Sequence, residues 1–271
     1  MAPPHGSNQP STYWSRPHLT ERLLEVVAAA GIDLRTTTPD IMAPLDQFHG
    51  GGKGATRALA RQAGISAATR VLDVGGGLGG PARMLAVEYG AQVTVVDLTP
   101  EYLHAGAELT ARMGLTSQVT FCYGNALDLP FPDSSFDLVW TQNSGMQIAD
   151  KLQLYRGFSR VLRPGGCLAQ VEPIAGPVQP PHFPLMWASQ PADSHLLEAE
   201  TLHDIIGRAG FRERYWDPAA RFPESAPGTT SMTSTIQHLI MGEHLPAIQA
   251  ARDRNNAEDR LRTILAVFER P

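Results

Sequence analysis

The sequence predicts an α/β protein: a doubly wound, seven-stranded, mostly parallel sheet, preceded by helices and interrupted by a cap insertion after strand five. Three observations predict it. From Arg70 onward, short apolar runs alternate with helical stretches. A glycine-rich run, Val71-Leu-Asp-Val-Gly-Gly-Gly-Leu-Gly-Gly80, joins the first apolar run to the helix after it. Pro81 and Pro100 stand where helices should begin, a position at which the missing N–H costs nothing.

Residues 1–12 are Pro, Gly, Asn and Ser in the main and read as disordered. Residues 13–64 read as a helical lid. Within it Leu19, Leu23, Leu24, Val26 and Val27 share one helical stripe that Gly31 can end. A Thr- and Pro-rich linker follows, then Leu45-Asp-Gln-Phe-His-Gly-Gly-Gly52 and a second helix over 55–63 closed by Gly64. Residues 65–271 form the sheet domain. Its strands are expected at 71–74, 93–96, 119–123, 136–141 and 167–172, with helices at 81–89, 100–113 and 150–162. Thr99 is a good N-cap for the second of these helices. Residues 173–196, rich in Pro and holding His182, Phe183 and Trp187, break the alternation and read as a cap over the sheet. A helix at 197–209, a strand near 211–216, a polar loop, a helical stretch at about 246–259 and a final edge strand at 261–268 complete the chain.

Composition narrows the function. The formal net charge is −5 and the 22 Lys and Arg are scattered, so no basic stripe exists to grip nucleic acid. No stretch approaches the length needed to span a membrane, and residues 1–11 contain no apolar leader. Cys122 and Cys167 each lie in an apolar strand, where a buried thiol is commoner than a disulfide. These features suggest a soluble protein in a reducing, cytoplasmic setting. The oligomeric state stays open, a homodimer included.

Five glycines within residues 75–80 allow the main chain to approach a ligand with no Cβ in the way, as a nucleotide-like cofactor requires. Gly75, Gly77 and Gly80 also satisfy the dinucleotide pattern G-x-G-x-x-G, so the loop by itself leaves a nicotinamide cofactor open. Asp73 favours a cationic methyl donor, because a carboxylate in the loop attracts a methionine ammonium and repels a pyrophosphate. Asp97, twenty residues past Gly77 at the end of strand two, suits both ribose hydroxyls of either cofactor. The chain has no Tyr-x-x-x-Lys pair to supply a reductase proton.

In these residues the chain resembles class I S-adenosylmethionine-dependent methyltransferases. Val71–Gly80 is similar to their first motif and Val93-Thr-Val-Val-Asp97 to their second. Gly124–Phe131, Ser135–Val139 and Arg160-Val-Leu-Arg-Pro-Gly-Gly166 are similar to the later ones. Asp46-Gln-Phe-His49, Trp140-Thr-Gln142 and His182–Trp187 further resemble a branch related to sarcosine/dimethylglycine methyltransferases. The resemblance implies that Gly75, Gly77 and Gly79 line the methionine and ribose portions of the cofactor and that Asp97 holds the ribose. Leu98 would pack on the adenine, and Ala126 would donate its N–H to an adenine ring nitrogen. Asn125 stands where the wider family has Asp, and its amide oxygen can still accept the adenine amino bond. Thr141 and Gln142 would face the methionine end.

Methyl transfer from a sulfonium chiefly needs alignment of the acceptor, so no metal is expected, and no H-E-x-x-H or C-x-x-C spacing occurs. A hydroxyl or acidic-carbon acceptor is helped by a base, for which His49, His182 and Glu172 are the candidates. Tyr13, Trp14, Phe183 and Trp187 could wall the pocket of a small-molecule substrate or cage a cationic amine. Two other readings share this scaffold: a noncatalytic S-adenosylmethionine-binding protein and an NAD-dependent oxidoreductase.

Overall fold

The computed structural model describes residues 13–222 and 230–271, the side chains of 230–234 excepted. Segment 1–12, expected to be disordered, lies outside the described residues. The helices α1 (Leu19–Ala29), α2 (Pro39–Asp46) and α3 (Gly52–Ala63) precede β1 (Arg70–Val74). Then follow α4 (Gly80–Tyr89), β2 (Gln92–Asp97), α5 (Pro100–Arg112), β3 (Val119–Tyr123), β4 (Phe136–Gln142), α6 (Lys151–Val161) and β5 (Leu162–Ala175). The remainder comprises α7 (Ala199–Arg208), β6 (Arg212–Asp217), α8 (Thr230–Met241), α9 (Leu245–Ala257) and β7 (Leu261–Glu269).

The seven strands form one sheet in the order β3-β2-β1-β4-β5-β7-β6. β1 to β5 are mutually parallel, whereas β7 runs antiparallel to both of its neighbours. Alternate residues of each strand feed opposite cores. Leu72, Val74, Val139, Leu168, Ala266 and Phe268 pack beneath α6 and α7. Val71, Leu138, Trp140, Ala169, Leu265 and Val267 pack beneath α3 and α4. From β1 the chain winds one way to β2 and β3, then returns past β1 to β4. The crevice at the carboxyl ends of β1 and β4 is therefore the point where the winding reverses, and open α/β sheets bind ligands at such points.

The structure corrects five expectations. β7 is not an edge strand. It lies between β5 and β6, and Ile264–Phe268 are all buried, as a run apolar on both faces must be. The edge falls to β6, Arg-Glu-Arg-Tyr-Trp-Asp, whose charged side chains protect an unpaired rim. The Thr/Pro-rich linker contains α2, started by Pro39 in its first turn and by Thr38, whose side chain accepts from Ile41 N. The expected polar loop after β6 contains α8, whose Ile236, Leu239, Ile240 and Met241 form a buried stripe against α1 and α2. α3, grouped by sequence with the lid, packs directly on the sheet. Thr99 does hold the N-cap position of α5, but its hydroxyl makes no cap bond.

Among the described residues no helix is long and apolar enough to cross a membrane. Cys122 and Cys167 are unpaired thiols.

Candidate active site

A cavity of about 450 Å³ opens at the carboxyl ends of β1, β2 and β4, within the range of small-ligand sites. One end of it is the glycine loop between β1 and α4. Gly75 and Gly76 are required by packing: a Cβ at Gly75 would lie 2.4 Å from Ser144 Cβ, and one at Gly76 would lie 2.5 Å from Asp73 Oδ2. Gly77 is different. Its backbone is left-handed (φ 52°), and the only atom near a hypothetical Cβ is Tyr102 Cδ1 at 3.6 Å, so a side chain there would take up ligand space. Gly79 lies outside the cavity wall, where its missing Cβ makes room for the Phe121 ring.

Half-buried Asp97 organises this end. Its Oδ2 accepts from Gly77 N at 3.0 Å and its Oδ1 from Thr99 N at 2.8 Å, so one carboxylate fixes both the loop and the start of α5. Each oxygen keeps a lone pair for a ligand hydroxyl. Asp73, buried near the end of β1, is part of the cavity wall, and its Oδ2 has no partner in the protein. Burial, reinforced by the Asp97 charge, pushes its carboxyl up to about 7. A buried, partnerless carboxyl beside a glycine-lined cavity fits a ligand that brings positive charge, as the methionine ammonium and sulfonium of S-adenosylmethionine do. Leu98, Asn125 and Ala126 line the adjoining wall, and Asn125 Oδ1 accepts from Leu127 N at 2.9 Å.

The other end is built from lid and turn. Trp14 stands edge-on to Phe48 and Tyr102, with 6.4 Å between ring centroids in each pair. Trp14 Nε1 donates to Gln147 Oε1 at 2.5 Å, tying the amino-terminal segment to the turn after β4. That turn, residues 143–148, is held from both sides. Buried Glu172 Oε1 accepts from Ser144 N and Gly145 N, and from the Thr141 hydroxyl. Lys151 Nζ donates to the Gly145 and Ile148 carbonyls. Burial raises the Glu172 carboxyl and lowers the Lys151 ammonium to about 8. Thr141 and Glu172 thus sit behind the wall, whereas Gln142, Asn143, Ser144, Gln147 and Ile148 form it.

The three candidate bases are placed very differently. His49 lines the cavity. Its Nδ1 donates to the Gly50 carbonyl at 3.2 Å, which leaves Nε2 as the bare nitrogen, 3.4 Å from Thr56 Oγ1. Burial lowers it to about 4, so it is neutral across the physiological range. Glu172 reaches the cavity only through the turn it anchors. His182 lies in the cap with Nε2 2.9 Å from Glu258, and buried Asn255 clasps its backbone N–H and carbonyl. Among the aromatics, Trp14 is in the wall, while Phe183 and Trp187 pack into a small apolar cluster with Leu185 and Met146. Tyr13 fastens the lid to the cap by donating to the Leu185 and Met186 carbonyls.

Sequence reading missed Asp46, Phe48, Tyr102, Asn143 and Gln147 as wall residues. Asp46 and Phe48 stand in the Asp46-Gln-Phe-His49 segment quoted for its resemblance, and Asn143 lies one residue past β4, where open α/β sheets bind ligands; Tyr102 and Gln147 carry no such signal. Among the described residues no group of three His, Cys, Asp or Glu is arranged to hold a metal ion.

Comparison with known proteins agrees with this geometry. Residues 71–166 match the model of a family described as a methyltransferase domain. A probable chloroplastic tocopherol O-methyltransferase of Oryza sativa subsp. japonica is 36% identical over 193 residues, covering 64% of this chain and 53% of that protein. A glycine/sarcosine/dimethylglycine N-methyltransferase of Actinopolyspora halophila is 38% identical over 122 residues, 44% of this chain and 22% of that one. The chain thus spans about half or less of the length of these relatives, and they methylate different elements. Among solved structures, the [4+2]-cyclase SpnF superposes with a TM-score of 0.66 at 24% identity, covering 93% of each chain. Its match is one of fold, and fold leaves the reaction open. Residues 71–166 thus match a methyltransferase domain, and the strand order and acidic glycine loop around them are similar to those expected of class I, S-adenosylmethionine-dependent methyltransferases.

Proposed function

We propose that this protein transfers a methyl group from S-adenosylmethionine to a nucleophilic atom of a small molecule, in a reducing, cytoplasmic compartment. The observation that carries the proposal is the buried, partnerless Asp73 carboxyl in a cavity floored by Gly77 and Asp97. It suits a donor that arrives as a cation. In this mode Asp97 holds the ribose hydroxyls, Gly75 and Gly77 flank the methionine and ribose, and Leu98, Asn125 and Ala126 surround the adenine. Gln142 stands where donor and acceptor meet. The donor supplies a sulfonium methyl whose leaving sulfur takes up the C–S bonding pair. The residues of the chain align the acceptor behind that methyl and exclude water, an effect worth on the order of 7 kcal/mol in favourable cases.

His49 is the proposed base, and Glu172 and Lys151 act by positioning the turn. A neutral imidazole beside a cationic donor accepts the acceptor's proton as positive charge leaves sulfur, so the total charge of the pocket is unchanged by the reaction. We expect His49→Ala to lower kcat by about a hundred-fold or more while leaving S-adenosylhomocysteine affinity unaltered. At saturating donor, the acid limb of the wild-type profile should lie well below the ordinary histidine value of about 6.5. His182→Ala, in contrast, should leave kcat within about two-fold, because that side chain faces Glu258.

Donor affinity should depend on pH through Asp73. The cation binds the carboxylate, so binding lowers a group that titrates near 7 in the free protein. Affinity should therefore rise with pH up to about 7 and level off above it, with a proton released on binding at lower pH. Calorimetry in buffers of different ionisation enthalpy measures that proton, and Asp73→Asn should abolish both the release and the slope.

Transfer itself is tested by incubating the protein with methyl-labelled S-adenosylmethionine and a metabolite extract. Labelled product supports the proposal. Binding of S-adenosylhomocysteine with no product in any extract would make the protein a noncatalytic scaffold, and binding of NAD alone would make it an oxidoreductase.

A further inference from the structure

Resting on the methyl-transfer reading, we infer that the acceptor is an uncharged, largely apolar molecule methylated on a hydroxyl oxygen, which the amides of Gln142 and Asn143 hold in place.

Two observations carry this. The first is charge. Among the described residues the cavity wall contains no Lys or Arg. Its carboxylates are Asp73 and Asp97 at the glycine loop, and Asp46, which is paired with Arg83. The acceptor end, formed by Trp14, Phe48, His49, Gln147 and Ile148, thus offers no counter-charge to a phosphate, a carboxylate or an ammonium. Burying such an ion without a partner is costly, whereas apolar carbon packs well against Trp14, Phe48 and Ile148.

The second is a pair of unsatisfied amide atoms. Gln142 is 7% exposed, and its Oε1 is spent on Trp140 Nε1 at 2.9 Å and the Thr56 hydroxyl at 3.2 Å. That network sets the amide's orientation and leaves Nε2, a buried donor, with no partner. The next residue, Asn143, has a left-handed backbone (φ 55°) and is part of the same cavity wall. Its Oδ1 is a buried acceptor with no partner. Buried polar atoms are seldom left unpaired, and a neighbouring donor and acceptor match a hydroxyl, which accepts and donates at one atom. A thioether could accept only weakly from the donor and offers nothing to the acceptor, and a carbon nucleophile would satisfy neither.

In the reaction the hydroxyl oxygen uses a lone pair to form the new C–O bond while the C–S bond breaks toward sulfur. The hydroxyl proton passes to His49 Nε2, giving a methyl ether, a neutral thioether and an imidazolium that releases its proton to water.

The test uses the full chain with [13C-methyl]-S-adenosylmethionine and a metabolite extract separated by ion exchange into neutral, cationic and anionic fractions. We expect label in the neutral fraction, with a carbon resonance in the methoxy region. Label on nitrogen or carbon, or on a charged compound, overturns the inference and leaves methyl transfer intact. No label in any fraction while S-adenosylhomocysteine still binds overturns methyl transfer itself and the inference with it. With the product identified, Gln142→Glu removes the donor and keeps Oε1, and Asn143→Gly removes the acceptor in a residue that tolerates positive φ. Each should raise KM for the acceptor about ten-fold or more, and for Asn143→Gly, which does not touch the donor in the proposed mode, S-adenosylhomocysteine affinity should hold within about three-fold. Equal losses of acceptor and S-adenosylhomocysteine binding in Asn143→Gly would mean a merely structural role and would also overturn it.

Discussion

Replacing Asp97 by Ala should weaken S-adenosylhomocysteine binding by about a hundred-fold or more, with little direct effect on acceptor binding. In the proposed binding mode, two charge-assisted hydrogen bonds from Asp97 to the ribose, at about 1.5–3 kcal/mol each, would account for a loss of this size. The same carboxylate also fixes the loop, through Gly77 N, and the start of α5, through Thr99 N. Ala therefore deletes both the ligand contact and the anchor of the backbone that faces the ligand. Asp97→Asn should fall between wild type and Ala, since its single acceptor oxygen can serve one of the two N–H groups and its NH₂ opposes the other. Calorimetry with S-adenosylhomocysteine measures all three proteins. Wild-type affinity in Asp97→Ala would remove Asp97 from the cofactor site.

The second large effect is on stability. Arg83, in α4, donates to Asp46 Oδ2 at 2.8 Å, to the Thr110 hydroxyl at 2.8 Å and to the Gly106 carbonyl at 3.2 Å. Both members of the ion pair are buried, with side chains 0% and 1% exposed. The pair joins α2 to the first turn of α4, beside Gly80, where a Cβ would lie 2.3 Å from the Asp46 carbonyl. Arg83→Met leaves the Asp46 carboxyl buried without its partner, a change that costs about 3–5 kcal/mol. For a chain of this size that is a drop in Tm on the order of 10 °C. The loss should depend on pH. Burial already raises the Asp46 carboxyl, with Arg83 opposing the rise. Without Arg83 the folded-state value climbs further above the unfolded one, so the neutral acid is tolerated at low pH and stability is lost as pH rises through the folded value. Urea unfolding at about pH 5 and pH 8 should show the larger deficit at pH 8. Arg83→Met combined with Asp46→Leu should regain most of the stability, because the uncompensated charge is gone. Because Asp46 also lines the cavity, the single variant should weaken cofactor binding as well.

How far the sequence was legible varies from element to element. Strands β1 to β5 declared themselves as short apolar runs alternating with helical stretches, and the glycine loop through composition. β7 was misread as an edge, although its unbroken Ile-Leu-Ala-Val-Phe run carries the mark of a strand buried on both faces. α2 and α8 are short helices whose apolar residues meet each other and α1, so their stability comes from tertiary packing rather than local pattern. In the site, Asp73, Gly77, Asp97, Leu98, Asn125, Ala126, Gln142 and His49 were all named from sequence and all line the cavity. Gly79, Thr141, Glu172 and His182 were named with them and lie outside its wall.

The alternation of strands and helices and the acidic glycine loop are written in the chain, because each depends on residues close together in it. Tertiary structure alone decided which histidine meets the cavity, that Glu172 supports a turn, and that Asp46 finds Arg83 thirty-seven residues away. It also decided that Gln142 and Asn143 are left with one unpaired donor and one unpaired acceptor. The physical reason is common to all four: burial and hydrogen-bond partnership are properties of what the fold brings alongside a residue, and no local spacing rule encodes them.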